Sequence, residues 1–364
     1  MPYRFILMFI LSVTALFSTP LKNDEDDVPA NNKIQLGAYY FDGWTGEYPQ
    51  HITSHLKESF ANRKPKWGWV TSSQEIVDEQ IMMASDAGLS FFSFCWYYSG
   101  KKKFQTEPLN NALRYYNSSK YKSKLKFCLM VANHEGFFIG PNEWVDAKAE
   151  WILQFKKSNY LKVDGKPLVI LFSVPSLVNK FGSEANVKRA LQSLRNDAIK
   201  NGLPGVTIAA CVSGYRSSIV EAQNCGFDIL TGYNYHSSGF KAGSTEIPIS
   251  NMQAAENQMW NNIAYVSPLK FIPVATLNWD PRPWANAGNG YDKAPYFVGY
   301  SEKSVYKSVS SLIDWINKNK WETPKERIGL LYAWNENGEG AYLTPSQEGD
   351  DNLLRGVQKA LKEK

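Results

Sequence analysis

The sequence of 364 residues predicts an α/β fold, a single (β/α)8 TIM barrel. Eight short runs of apolar, β-branched and aromatic residues recur along it, with helical periodicity between them. The runs are nearly continuously apolar, which is typical of strands covered on both faces, as in a parallel sheet enclosed by helices. They occupy residues 34–41, 89–97, 125–132, 167–172, 206–212, 227–233, 271–277 and 328–334.

The first connecting helix has the clearest sequence signals. Residues 72–75 (Ser-Ser-Gln-Glu) fit a capping box, Val77, Ile81 and Ala84 fall on one helical face, and Gly88 ends the helix before the second strand. An apolar stripe predicts a second helix from Val305 to Ile316, before the last strand. Further helices are predicted at residues 110–116, 144–157, 186–201, 252–264 and 352–361.

The N-terminus predicts an exported protein. Arg4 precedes an apolar stretch from residue 5 to residue 17, a pattern typical of a signal peptide and too short to span a bilayer. We therefore predict a signal peptide at residues 1–20, a flexible polar leader at residues 21–33, and a catalytic barrel at residues 34–364. The mature protein is expected in the periplasm or outside the cell, with no membrane association once the signal is removed.

Composition limits the classes of partner. The 40 basic and 35 acidic residues are intermixed and give a net charge of only +5, so a nucleic-acid surface is not expected. The 12 Trp, 20 Tyr and 19 Phe residues provide flat rings that suit a carbohydrate substrate, although most such rings fill protein cores. An oligosaccharide or polysaccharide is the expected partner.

No metal or cofactor is predicted. The four cysteines lie far apart within or beside apolar runs, as buried thiols do, and the four histidines lack the spacing of a metal site. His51 and His55, four residues apart, are interpreted as a surface pair. The first strand is followed by residues 42–44 (Asp-Gly-Trp) and not by a glycine-rich nucleotide loop, which disfavours a dinucleotide-binding fold.

Polar and aromatic residues follow the predicted strands, where a (β/α)8 barrel builds its active site. Several also have a structural alternative, such as a turn cap for Asp42, a helix start for Glu135, or an ion pair for Asp280 and Arg282. The candidates for substrate binding are Asp42, Trp44, Trp96, Tyr97, Asn133, Glu135, Asn234, Tyr235, Trp279, Asp280, Arg282 and Asn335.

The sharpest catalytic signal is a pair of glutamates after the eighth strand. Glu336 and Glu339 stand three residues apart in a turn that contains Gly338 and Gly340. Cleavage of an acetal needs a proton donor and a second carboxylate, about 5 Å apart in retaining glycosidases. We predict that both face one sugar, and the alternative is that one of them is a solvent-exposed loop residue.

A longer resemblance supports the catalytic interpretation. Residues 333–345 (AWNENGEGAYLTP) resemble the WNEWGEGAYLEP motif of the WbsX-like proteins, which are related to glycoside hydrolase family 99. Asn337 stands where that motif has an aromatic residue. Residues 277–282 (LNWDPR), 132–135 (ANHE) and 94–97 (FCWY) are similar to further segments of that family.

The resemblance implies a metal-free TIM barrel that hydrolyses α-mannosides or related glycans with retention of configuration. By matching position, Glu336 would deprotonate the sugar 2-hydroxyl, or act as a nucleophile, and Glu339 would be the acid/base. Two alternatives remain open: a glycosyltransferase of polysaccharide synthesis and a non-catalytic carbohydrate-binding barrel. A transferase that uses a sugar nucleotide would usually need a diphosphate site or an acidic metal-binding motif, and neither is evident in the sequence.

Overall fold

The computed structural model describes residues 33–100, 106–285, 289–346 and 351–364, and Lys33–Lys364 form one compact unit. The predicted signal peptide, and the predicted leader up to residue 32, lie outside the described residues. Within the described residues, no helix combines the length and apolarity needed to cross a membrane.

Eight parallel strands form the TIM barrel that the sequence predicts. The strands are β1 Gln35–Tyr40, β2 Phe91–Trp96, β3 Lys126–Val131, β4 Lys166–Leu171, β5 Thr207–Cys211, β6 Ile229–Thr231, β7 Val274–Thr276 and β8 Ile328–Tyr332. Seven of them lie within the predicted runs, and β4 begins one residue before its run. Their order around the barrel is β6-β5-β4-β3-β2-β1-β8-β7. A bridge between Leu230 and Phe271 joins β6 to the segment before β7 and closes the ring.

Aromatic side chains fill much of the barrel. All six residues of β2 and all five of β8 are buried, as expected for strands with helices outside and a packed interior. Gly37 of β1 leaves room for Phe91, because a Cβ at that position would lie 2.3 Å from the phenyl ring. Tyr39 crosses the interior and donates a hydrogen bond of 2.6 Å to the carbonyl oxygen of Gly232.

A helix follows each strand and packs on the outside of the barrel. The eight helices are α1 Gln74–Asp86, α2 Asn111–Ser118, α3 Pro141–Phe155, α4 Glu184–Lys200, α5 Arg216–Asn224, α6 Ile249–Val266, α7 Glu302–Lys318 and α8 Asn352–Glu363. Two further helices, Ser54–Ser59 and Val174–Phe181, lie in the loops after β1 and β4.

Shorter elements decorate the loops. The two-residue strand Lys162–Val163 pairs with β4, and Glu246–Pro248 pairs with Tyr296–Val298. Asn335–Glu336 pairs with Ala341–Tyr342 directly after β8. Single 3-10 turns occur at Ala61–Arg63, Pro108–Asn110, Lys122–Lys124, His236–Gly239, Arg282–Trp284, Tyr291–Lys293 and Asn337–Glu339.

The strongest helix predictions are confirmed, and a weak helix was missed. The predicted apolar face of α1 is buried, but Ser73 caps the helix through a hydrogen bond from the backbone N–H of Ile76, so the predicted capping box of residues 72–75 does not form. The stripe of α7 from Val305 to Ile316 is also buried. α5 was not predicted because it buries only Ile219 and Ala222, which are too few positions to reveal a helical period.

Candidate active site

A tight hairpin after β8 carries both predicted catalytic glutamates. Its strands Asn335–Glu336 and Ala341–Tyr342 pair antiparallel around the 3-10 turn Asn337–Glu339. Gly340 ends the turn with a φ of 73°, a conformation that favours glycine. The hairpin therefore places Glu336 on a strand and Glu339 three residues later, at the carboxyl end of the barrel.

Glu336 and Glu339 line the same cavity of about 720 Å³ at this end of the barrel. Such a volume is typical of small-molecule sites. The other described residues that line it are Phe41, Tyr48, Gln50, His51, Thr53, Tyr97, Leu109, Met130, Ala132, His134, Phe137, Phe172, Tyr233, Trp284, Ala285, Asn289 and Tyr291.

Glu336 is held by a tyrosine from the loop after β6, which is two strands away from β8 around the barrel. The hydroxyl of Tyr233, two residues beyond β6, donates a hydrogen bond of 2.6 Å to Oε1 of Glu336. Burial raises the pKa of Glu336 to about 7, and the hydrogen bond from Tyr233 opposes that rise because it stabilises the ionised form. Near neutral pH, Glu336 is therefore poised to accept a proton.

Glu339 has a different environment, although it faces the same cavity. Burial raises the pKa of this carboxyl group to about 8, because loss of hydration disfavours the charged form. At neutral pH the neutral acid predominates, and a neutral carboxylic acid can donate a proton. The cavity therefore holds one carboxyl group suited to accept a proton and one suited to donate it.

An aromatic wall borders the turn that carries Glu339. The ring of Trp284 stacks on Trp44 with centroids 6.3 Å apart and an interplanar angle of 16°, and the ring of His51 meets Trp284 edge-on. Trp284 also lies against Gly338, where an added Cβ would be 1.9 Å from the indole. Glycine at position 338 thus lets the wall approach the turn directly.

Asp280 and two arginines support the same turn from behind. The carboxylate of Asp280 is buried and pairs with Arg63 and with Arg282, the latter at 2.8 Å. These arginines hold the pKa of Asp280 below its usual value against the effect of burial. The backbone N–H of Asp280 donates a hydrogen bond of 2.7 Å to the carbonyl oxygen of Glu339. Asp280 and Arg282 thus lie beside the turn that carries Glu339 as an ion-paired support.

Tyr97 is the one predicted substrate-binding residue that lies among the described lining residues of the cavity. Three of the other eleven clamp the backbone around the barrel mouth. Asn335 accepts from the N–H of Phe41 at 2.8 Å and donates to its carbonyl oxygen at 2.7 Å, and Asn133 makes the same reciprocal pair with Ser173.

Asp42 is the third of these clamps. Its carboxylate accepts hydrogen bonds from Ser72 at 3.0 Å and from the backbone N–H of Ala112 at 2.5 Å. Burial raises the pKa of Asp42 to about 7. This side chain links the loop after β1 to the start of α2, which is a long-range structural contact and not the predicted cap of its own turn.

The predicted aromatic platforms other than Tyr97 are buried. Trp44 is fully buried and donates a hydrogen bond of 2.8 Å to the carbonyl oxygen of Asn335. Trp96 is buried edge-on against Trp151, and Tyr235 is also buried. Trp279 stacks on His236 with ring centroids 3.7 Å apart.

The last two predicted residues, Glu135 and Asn234, lie at strand ends. Glu135 is solvent-exposed. The carboxamide oxygen of Asn234 lies 2.6 Å from Nδ1 of His236. Their predicted contact with substrate stays a prediction.

Several lining residues were missed because the side of each strand that faces the cavity is not visible in the sequence. Met130, Ala132 and His134 line the cavity at every second position, as the period of two of a strand requires. Asn133 between them consequently points elsewhere. The same parity places Tyr233, and not Asn234, beside Glu336.

His51 corrects a specific interpretation. It was interpreted as part of a surface pair with His55, but it lines the cavity, and its Nδ1 lies 3.1 Å from the carbonyl oxygen of Gly43. Burial lowers the pKa of His51, so the neutral ring is favoured. Histidine spacing alone gave no signal for this position.

The cysteine interpretation is confirmed: Cys95, Cys128 and Cys225 are buried, Cys211 is half-buried, and all four are free thiols. Across the described ranges, no group of three or more His, Cys, Asp or Glu side chains is arranged to hold a metal ion.

The sequence matches the family model described as "Glycosyltransferase WbsX" over residues 69–357. No curated protein matches the chain. Several solved structures share its fold at low sequence identity, which supports the barrel and not a particular activity.

Two of these structures are of the glycoside hydrolase family 99 endo-alpha-mannosidase from Bacteroides thetaiotaomicron. The complex with bis-tris propane is 14% identical, with a TM-score of 0.61 over 90% of this chain and 96% of that chain. The structure described without that ligand is 16% identical, with a TM-score of 0.59 over 90% and 97%. A structure described as a glycoside hydrolase-like protein is 16% identical, with a TM-score of 0.62 over 91% and 94%.

Proposed function

The chain belongs to the WbsX family, and from this premise we propose that it is a retaining glycoside hydrolase whose catalytic residues are Glu336 and Glu339. One observation carries the proposal: two carboxyl groups with raised pKa values, about 7 and about 8, line one cavity. Paired carboxyl groups of this kind are what cleavage of an acetal requires.

In the first step, Glu336 removes the proton from the sugar 2-hydroxyl, and O2 attacks the anomeric carbon. The bond from that carbon to the leaving oxygen breaks, and Glu339 gives its proton to that oxygen. The products are an intermediate with a three-membered ring between O2 and the anomeric carbon, a protonated Glu336 and an ionised Glu339. The hydrogen bond from Tyr233 to Glu336 holds this base in place.

In the second step, Glu339 removes a proton from water, and the oxygen of that water attacks the anomeric carbon. The ring bond to O2 breaks, and Glu336 returns its proton to O2. Both glutamates regain their starting protonation states. Two displacements at one carbon give net retention of configuration. Direct attack by Glu336 on the anomeric carbon is the alternative first step, with the same role for Glu339.

We propose a neutral glycan with α-mannoside-like residues as the substrate. The structural likeness to the endo-alpha-mannosidase from Bacteroides thetaiotaomicron supports this class, as does the aromatic lining, which suits the C–H faces of sugars. The signal peptide predicted at residues 1–20 would place the enzyme where extracellular polysaccharides are found.

Hydrolysis is favoured over transfer from a sugar nucleotide, despite the family's description. The carboxyl groups among the described lining residues belong to Glu336 and Glu339. A diphosphate would bring its negative charges close to these two groups, which is unfavourable when either is ionised. A non-catalytic binding barrel would need neither glutamate.

The test is digestion of mannans, N-glycans and rhamnose-containing polysaccharides by the purified protein, with products identified by mass and by NMR of the anomeric proton. We expect release of shorter products with retained configuration. Loss of one general acid or base typically lowers kcat by ~10² to 10⁴-fold, so Glu336→Gln and Glu339→Gln should each fall in that range. Glu58→Gln, at an exposed position, is the matched control.

Two results would contradict the proposed hydrolase and support one of the alternatives. Sugar transfer from a nucleotide donor, with no hydrolysis of any glycan, would support the transferase. Binding of glycans by wild type and both variants, without turnover, would support the binding barrel. A substrate methylated at O2 separates the two first steps, because only direct attack by Glu336 can cleave it.

A further inference from the structure

Arg63 is a buried arginine in the loop after β1, where it was not predicted to take part in the site. It is 8% exposed, in the 3-10 turn Ala61–Arg63 that follows the helix Ser54–Ser59. A buried guanidinium is costly unless its charge is paired and its N–H groups find acceptors. The acceptors that Arg63 finds all lie beside Glu339.

The side chain and the backbone of Arg63 both hold the catalytic turn. Nη1 donates to the carbonyl oxygen of Gly338 at 3.4 Å and to that of Asp280 at 3.1 Å. The carbonyl oxygen of Arg63 accepts a hydrogen bond of 2.9 Å from the side chain of Asn337. The residues before Glu339 in its turn are thus fixed from one loop, while Asp280 fixes the carbonyl oxygen of Glu339 itself.

The charge of Arg63 is compensated within the same cluster. Nη2 pairs with the carboxylate of Asp280, which also binds Arg282, and the ring of Phe60 lies 4.5 Å from the guanidinium carbon. Burial, and not the charge of Arg63, accounts for the raised pKa of Glu339. Arg63 thus has the geometry to hold the turn while its charge is balanced by Asp280.

We propose that Arg63 is a positioning residue, which fixes the turn Asn337–Glu339 so that the acid Glu339 points into the cavity. The role of Glu339 as the acid rests on the proposed function. That Arg63 fixes the conformation of the turn does not. Arg63 contacts backbone atoms of the turn and sets its conformation, so its removal acts on the orientation of Glu339 and not on the affinity for sugar.

The variants are Arg63→Ala, Arg63→Lys and, as a matched control, Arg327→Ala. Arg327 is 7% exposed and lies just before β8, at the opposite end of the barrel. The changes in kcat, KM and thermal unfolding of Arg327→Ala measure the effect of deleting a buried arginine outside the site. Each protein is compared for kcat and KM on the glycan that wild type cleaves, for thermal unfolding, and for hydrogen exchange of a peptide spanning residues 334–343.

We expect Arg63→Ala to lower kcat by about 100-fold with KM changed less than about threefold, since misplaced catalytic groups lose rate before affinity. Guanidinium ion at non-denaturing concentration should restore part of kcat in Arg63→Ala and none in Arg327→Ala. Arg63→Lys should remain impaired, because an ammonium group cannot reach the same set of acceptors. Exchange in residues 334–343 should accelerate only in the Arg63 variants.

A kcat for Arg63→Ala no lower than that of Arg327→Ala, or unchanged exchange in residues 334–343, overturns the inference. If wild type cleaves no glycan, the proposed function fails, and the exchange measurement alone decides the inference. Faster exchange in Arg63→Ala then supports the role of Arg63 in holding the turn, and unchanged exchange refutes it.

Discussion

The hydroxyl of Tyr233 and the carboxylate of Glu336 lie 2.6 Å apart at the mouth of the barrel, in a hydrogen bond that joins the end of β6 to the hairpin after β8. Tyr233→Phe removes the donor, so the pKa of Glu336 should rise. The acid limb of the kcat/KM profile, which reports ionisation of this base, should move to higher pH by about one unit, equivalent to ~1.4 kcal/mol.

The control for Tyr233→Phe is Tyr306→Phe, because Tyr306 makes an exposed hydrogen bond of the same length to Glu363. Its pH profile should match wild type. An acid limb of Tyr233→Phe that coincides with that of wild type would show that Glu336 does not act as the base.

The two raised pKa values predict the shape of the wild-type pH profile. In the proposed mechanism, activity requires an ionised Glu336, with a pKa of about 7, and a protonated Glu339, with a pKa of about 8. The profile of kcat/KM should therefore be bell-shaped, rising near pH 7 and falling near pH 8. Initial rates from about pH 5 to about pH 10 check this, and an optimum at or below about pH 5.5 would contradict the assignment.

The contact between Gly338 and Trp284 predicts a compensating pair of substitutions. A Cβ at position 338 would lie 1.9 Å from the indole, so Gly338→Ala should destabilise the fold by about 1–3 kcal/mol and lower activity. Trp284→Ala removes the obstacle, and the double variant should lose less stability than the sum of the two single variants. Chemical denaturation measures this coupling, and strict additivity would exclude the contact.

Glu256 of α6 predicts a loss of stability at high pH that is separate from catalysis. It is fully buried, it accepts a hydrogen bond of 2.5 Å from the backbone N–H of Thr276, and burial raises its pKa to about 8. A carboxyl group with a raised folded-state pKa contributes stability below its unfolded pKa of 4.5, and this contribution is lost as pH rises through the folded value.

Wild type should therefore lose up to about 4 kcal/mol of its free energy of unfolding between about pH 5 and about pH 9 through Glu256. Glu256→Gln cannot ionise and should lack this component, whereas Glu58→Gln should retain it. Urea titrations at both pH values measure the difference. Equal pH dependence in wild type and Glu256→Gln would show that Glu256 does not titrate in this range.

The fold was predictable because strands that are buried on both faces must be apolar throughout. The runs at 34–41 and 328–334, for example, contain β1 and β8. The hairpin with Glu336 and Glu339 was also visible, because two carboxylates in a glycine-containing turn need no tertiary information to be noticed.

The other residues that line the cavity could not be predicted, for the same physical reason that made the strands predictable. Continuous apolarity conceals the alternation of side chains, so the sequence favoured Asn133 and Asn234, while their neighbours His134 and Tyr233 line the cavity. Arg63 and Trp284 come from loops after β1 and β7. Their approach to the turn depends on loop conformation, for which a single sequence offers no periodic signal.

In the proposed mechanism, Glu339 supplies the proton and Glu336 activates the attacking group. This division of roles is tested most directly by the first-step rates of cleavage of two aryl glycosides of the sugar that wild type cleaves. One carries a dinitrophenolate leaving group, which departs without a proton, and the other carries a poor leaving group. We predict that Glu339→Gln releases dinitrophenolate in a burst at near wild-type rate but fails on the poor leaving group, whereas Glu336→Gln fails on both. Equal losses of Glu339→Gln on both substrates would contradict the assignment.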